Sequence, residues 1–165
     1  MFDPSAFDNI KFIMQAEVYD RDLDGLIHIH SRTDKVDLAS LSREASISFS
    51  LKESPQLRVT LFVQADLDKL AGELKQLPGA EPGVMLQITY TGAEKVLTAE
   101  RMDELEKMWG EERQYERRKV ESNRSETVYE WCIHFNRTIT EDMIEEFGSL
   151  VGFITDTLKA ANKNE

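Results

Sequence analysis

The strict alternation between residues 46 and 64 constrains this chain more than any other feature. In "SISFSLK", Ser46, Ser48 and Ser50 alternate with Ile47, Phe49 and Leu51. In "LRVTLFVQ", Leu57, Val59, Leu61 and Val63 alternate with Arg58, Thr60, Phe62 and Gln64. Successive side chains of a pleated strand point to opposite sides, so period two marks a strand with one face buried. The "ESPQ" joint turns the two into a hairpin. Such a hairpin requires a sheet with an apolar side and something to cover it.

Period two also runs through "NIKFIMQAEVYDRDL", where Phe12, Met14, Ala16 and Val18 alternate with Lys11, Gln15, Glu17 and Tyr19, Ile13 apart. "LIHIHSR" repeats it with Ile27 and Ile29 against His28 and His30. Between them stands Asp24-Gly25, a strong signal for a type I′ turn because both central residues of that turn need positive φ. In the register of a two-residue loop, Phe12, Met14, Ala16, Val18, Ile27 and Ile29 share one face. The opposite face collects Tyr19, Arg21, His28, His30 and Arg32. These five are the candidate residues for a polar-face site.

Further along, "KVDLASLSRE" reads as a helical turn or a loop. Asp66 suits an N-cap for a helix with Leu67, Leu70, Leu74 and Leu77 at helical spacing, stopped by Pro78-Gly79. "GVMLQITYTG" is a strand with Val84, Leu86, Ile88 and Tyr90 inward. Thr98 caps a helix whose stripe is Met102, Leu105 and Trp109. The charge-rich segment around 110–127 reads as an exposed helix or loop. "TVYEWCIHFNR" carries apolar residues on both sides, as an interior strand does. Thr140 caps the last helix, Ile139 and Ile144 form its staple, and Ile144, Phe147, Val151, Ile154 and Leu158 make its stripe. This order predicts one α+β domain over residues 1–165. Its sheet of about six strands is mostly antiparallel, with helices packed on one face and a long amphipathic C-terminal helix.

Asp20, Asp22, Asp24 and Gly25 follow the D-x-D-x-D-G order of a calcium loop. Calcium needs six to eight oxygens, including a carboxylate at the twelfth position. Counting from Asp20, Ser31 stands at that position and His28 at the ninth, so an acidic turn is the better reading. His28 and His30 share a strand face and could hold zinc, nickel or iron, but Arg21 beside them opposes a cation. Cys132 and His134 have the spacing of an activated thiolate, yet a cysteine between Trp131 and Ile133 reads as core. The "ERRK" run is flanked by glutamates and reads as a solvated face. Gly148 and Gly152 mark a close approach to the sheet or to a neighbouring helix. No catalytic residue, metal ligand or cofactor is assigned.

Asp and Glu number 31 against 20 Lys and Arg, a formal charge of -11. That excess repels phosphate backbones and anionic lipid surfaces, so neither nucleic acid nor a membrane is an expected partner. The longest apolar runs fall far short of the roughly 20 residues that span a bilayer. A single cysteine cannot form an internal disulfide and fits the cytoplasm. The expectation is therefore a small cytoplasmic, non-enzymatic interaction or regulatory module that binds a protein partner or a second copy of itself as a homodimer. The alternative is a ligand- or metal-binding protein using the polar sheet face around His28 and His30.

Overall fold

The fold, a computed structural model describing residues 5–76, 78–79 and 82–163, is α+β. Its helices are α1 (Ala6–Leu23), α2 (Leu67–Leu74), α3 (Ala99–Trp109) and α4 (Phe147–Lys163). Its strands are β1 (Ile27–Asp37), β2 (Ser42–Leu51), β3 (Ser54–Ala65), β4 (Gly83–Gly92), β5 (Gln114–Ser122), β6 (Ser125–His134) and the short β7 (Ile139–Thr140). A 3₁₀ turn, Glu141–Glu146, leads into α4 and extends it to a long C-terminal helical segment. The sheet order is β1-β2-β3-β4-β6-β5, with β7 beside the start of β4 and every pair antiparallel. The α3 crossover carries the chain to the far edge, and β6 returns between β4 and β5.

The alternation read from the sequence sets the register. Ile47 faces Leu61, Leu61 faces Ile88, and Ile88 faces Ile133, while Phe49, Val59, Tyr90 and Trp131 form the next row. All eight are buried. Helices α1 and α4 lie against this side and against each other, and α3 packs on α4. The buried α4 residues include the expected Phe147, Val151, Ile154 and Leu158, joined by Thr155, Thr157 and Ala161, while Ile144, expected in the same stripe, is half-buried in the 3₁₀ turn. Asp66 and Thr98 cap α2 and α3 through the backbone N–H groups of Lys69 and Arg101. Leu77, expected at the end of α2, lies outside the described residues. The Thr140 hydroxyl bonds Asp142 and makes no side-chain bond to the backbone of the turn that it precedes.

Residues 6–23 form a helix, which overturns the first expected strand and its hairpin. Ser5 and Asp8 close a capping box at its start. Phe7, Ile10, Met14 and Val18, spaced for one helical face, are buried, whereas Phe12 is 68% exposed. Met14 and Val18 belong to both the period-two and the helical pattern, which is why alternation misleads here. Asp24-Gly25 ends the helix. Gly25 takes φ +76°, its N–H bonds the Asp22 carbonyl, and the Leu26 N–H bonds the Arg21 carbonyl. That is a Schellman ending, which uses the same left-handed glycine as a hairpin turn.

Two further segments differ from expectation. "KVDLASLSRE" is the β1–β2 hairpin, its turn held by Asp37, whose carboxylate accepts the N–H groups of Ala39 and Ser40. Residues 114–122, within the segment expected as a helix or loop, form the edge strand β5, exposed along nearly its whole length. Arg118 and Lys119 pair with Glu116 and Glu121 of the same strand, Arg117 reaches Asp103 and Glu106 on α3, and Tyr115 stacks on Trp131 with centroids 5.1 Å apart. A strand so charged resists pairing with foreign edges.

Candidate functional site

The five candidate residues do not form one site. In β1 the register runs Ile27 to Leu51 and Ile29 to Phe49, then Ser31 to Ser48 and Arg32 to Ile47, with His30 as the extra residue of a bulge. One inserted residue reverses the facing of all that follow. Arg32 therefore turns to the helix side, where it donates to the Tyr19 hydroxyl and lies 5.7 Å from the centre of that ring. Arg21, on α1, donates to Glu17 at 3.1 Å and to the Gly148 carbonyl at 3.0 Å. His28 and His30 stay on the opposite, uncovered face with ring centres 4.9 Å apart, edge to face.

His30 Nε2 lies 2.8 Å from Ser50 Oγ. Burial lowers the pKa of the imidazole, and the nearby charges of Arg58 and His28 lower it further. Among the described residues no group of three or more His, Cys, Asp or Glu side chains could hold a metal ion. Asp20 and Asp22 lie on the last turn of α1 and Asp24 caps it, so the calcium-like spacing does not describe a loop.

The uncovered face is a pavement of small hydroxyl side chains that bond across strands. Ser48 and Thr60 are 2.6 Å apart, and so are Thr33 and Ser46. Cys132, fully buried, sits in this face with Arg118 Nη2 at 2.9 Å and the Thr89 hydroxyl at 3.4 Å. His134 instead meets the Glu116 carboxylate at 3.0 Å. The cysteine and histidine thus have separate partners, and neither arrangement makes an imidazole-activated thiol.

A better-formed site lies at the other end of the sheet, in an open groove of about 430 Å³. Trp109 ends α3, Phe135 follows β6, and Phe153 stands on α4 beside the buried stripe. The Trp109 ring meets Phe153 edge-on at 4.7 Å and Phe135 at 6.4 Å. Its indole N–H donates to the Tyr90 hydroxyl at 3.3 Å, and Tyr90 is 2.7 Å from the Thr157 hydroxyl. Burial pushes the Tyr90 phenol well above its usual pKa, so it remains a neutral anchor for the aromatic floor.

Two guanidinium groups stand at the edge of this floor. Gly110, at φ +99°, turns the chain after α3 and lets Arg113 return over the aromatics. The Arg113 guanidinium is 4.7 Å from the centre of Phe135 and 5.8 Å from that of Trp109. Arg137 lines the same groove, with Glu146 as the opposing charge. Among the described residues neither Arg113 nor Arg137 enters an ion pair. Trp109, Arg113, Phe135 and Arg137 also border an adjoining cavity of about 820 Å³, which Glu111 and Glu112 line as well.

Sequence reasoning placed Trp109 in a core stripe and did not connect it with Phe135 or Phe153, which lie far apart along the chain. The one available signal was on α4: Leu150 and Phe153 widen its apolar arc beyond the stripe that the sheet requires. Comparison with known proteins adds no constraint, since no family model, curated protein or solved structure matches the chain.

Proposed function

We propose that this protein is a non-enzymatic interaction module that receives a segment of a protein partner in the groove between α3, α4 and residues 135–139. The observation that carries the reading is an open groove whose floor is Trp109 and Phe135, both buried, with Phe153 half-buried beside them, rimmed by two arginines that have no acidic partner among the described residues. An apolar centre with a polar rim is the anatomy of a protein interface, and tryptophan, tyrosine and arginine dominate binding hot spots. The lining is mainly aromatic, aliphatic and guanidinium, groups suited to binding rather than to proton transfer near neutral pH. The acidic surface and the single buried cysteine support a cytoplasmic setting as part of the same proposal. No helix among the described residues is long and apolar enough to cross a membrane.

The alternative of a ligand or metal site at His28 and His30 draws less support, because Tyr19, Arg21 and Arg32 belong to the other side of the sheet. Self-association is the special case in which the partner is a second copy, and sedimentation distinguishes it.

Selection of a random peptide display library on the full chain tests the proposal. Peptides that bind the parent chain and fail on Leu150→Asp, with circular dichroism unchanged, support it. A pool unaffected by that substitution contradicts it.

A further inference from the structure

Resting on the groove reading, we infer the chemistry of its occupant: an acidic segment in which a carboxylate stands beside an apolar anchor side chain, clamped by Arg113 and Arg137. Acidic side chains outnumber basic ones 31 to 20 in this chain. Arg21, Arg43, Arg117 and Arg118 each pair with a carboxylate. Among the described residues Arg113 and Arg137 do not, although carboxylates are abundant. Arg32, Arg58 and Arg124 share that condition but line neither of the two cavities. Within the groove, two guanidinium groups stand against the one carboxylate of Glu146, a local excess of positive charge on a chain whose formal charge is -11.

The geometry of Arg113 adds orientation to charge. Its guanidinium lies 4.7 Å from the centre of Phe135, and an arginine edge can receive a carboxylate through two parallel hydrogen bonds. Contact with the ring also restrains the side chain before binding, which reduces the ordering cost of association. The adjoining cavity shares Trp109, Arg113, Phe135 and Arg137, so the two arginines stand midway along a continuous surface and not at the bottom of an isolated pocket. An extended occupant fits that surface better than a small free acid. Glu111 and Glu112 line the adjoining cavity and not the groove, so they repel acidic chain there, and therefore the anchor lies in the groove with its carboxylate at the arginine wall.

The test uses a peptide selected on the full chain. Its affinity is measured by tryptophan fluorescence for the parent chain, for Arg113→Glu and Arg137→Glu singly and together, and for the peptide with its acidic residues replaced by glutamine. Both arginines are exposed, so the substitutions leave the fold intact, and circular dichroism verifies this. We expect selected peptides to carry Asp or Glu next to an aromatic residue or leucine. The double variant and the glutamine peptide should each bind roughly tenfold or more weakly, with binding that weakens as salt rises. Groove-dependent peptides without acidic residues, unaffected by the arginine substitutions, overturn the clamp while the groove reading survives. Naphthylacetate binding as tightly as the peptide overturns a polypeptide occupant. Failure to select any groove-dependent peptide overturns both readings.

Discussion

The guanidinium of Arg21 donates to the carbonyl oxygen of Gly148 at 3.0 Å and so ties the first helix of the chain to the last. A Cβ built on Gly148 would lie 3.3 Å from the Glu17 carboxylate, and one on Gly152 would lie 3.3 Å from Arg21. The G-x-x-x-G spacing of α4 is thus the seat of α1. Because both obstacles are ends of flexible side chains, Gly148→Ala and Gly152→Ala should leave stability unchanged or raise it, by up to the ~1 kcal/mol of helix propensity that alanine adds. Gly148→Leu forces the helices apart and should cost about 1–3 kcal/mol. Urea unfolding of the three variants measures this.

Met14 is fully buried and Phe12 is 68% exposed, although a strand would put them on one face. Met14→Ala should lower stability by about 2–5 kcal/mol through the cavity it leaves. Phe12→Ala should stay within about 0.5 kcal/mol of the parent chain, as surface substitutions do. Equal losses at the two positions would contradict the helix.

Asp8, Lys11, Asp34 and Arg43 form a network joining α1 to β1 and β2, with Arg43 at 2.8 Å from Asp8 and Lys11 at 2.8 Å from Asp34. Burial alone would raise both aspartate pKa values, but hydrogen bonds and charge from Arg43, Lys11 and Ser5 overcome it and hold them below the usual range. A carboxyl depressed in the folded state contributes stability above its unfolded pKa of about 3.9 and loses it as pH falls through the folded value. Arg43→Met should therefore flatten the acid limb of a stability curve recorded below about pH 4.

For His30 the sign is the same in direction and different in window. Burial depresses its pKa, with Arg58 and His28 adding to the effect. The unfolded chain then takes up this proton first, so stability falls as pH drops from about 6.5 toward the folded value. His30→Gln should remove that part of the pH dependence. An unaltered slope between pH 7 and 5 would contradict it.

Cys132 is fully buried beneath Arg118 and Thr89. Ellman's reagent should react with it slowly in the native protein and rapidly only after unfolding in guanidinium. Fast native labelling would show an accessible, activated thiol instead.

The strands with the simplest physics were legible from the sequence. From Ala45 to Phe49, from Val59 to Val63 and from Leu86 to Tyr90, each inward residue meets another inward residue across the sheet, so period two and packing agree. In α1 the two periods share Met14 and Val18, and the decisive signal was local: Ser5 with Asp8 at one end and Gly25 at the other. The β1 bulge at His30 separated the five candidate residues, and nothing in "HIHSR" announces an extra residue between paired strands. The aromatic groove was not legible because Trp109, Phe135 and Phe153 meet only through the α3 crossover and the return of α4.

The most direct test of the groove uses the two tryptophans of the chain. Their indole N–H groups occupy different sites: Trp109 donates to Tyr90 at 3.3 Å and Trp131 to Glu106 at 3.1 Å. In a two-dimensional ¹H–¹⁵N spectrum recorded while a selected peptide is added, the Trp109 resonance should move and the Trp131 resonance should hold its position. Binding that leaves Trp109 in place, or that moves Trp131 alone, would contradict a partner site in the groove.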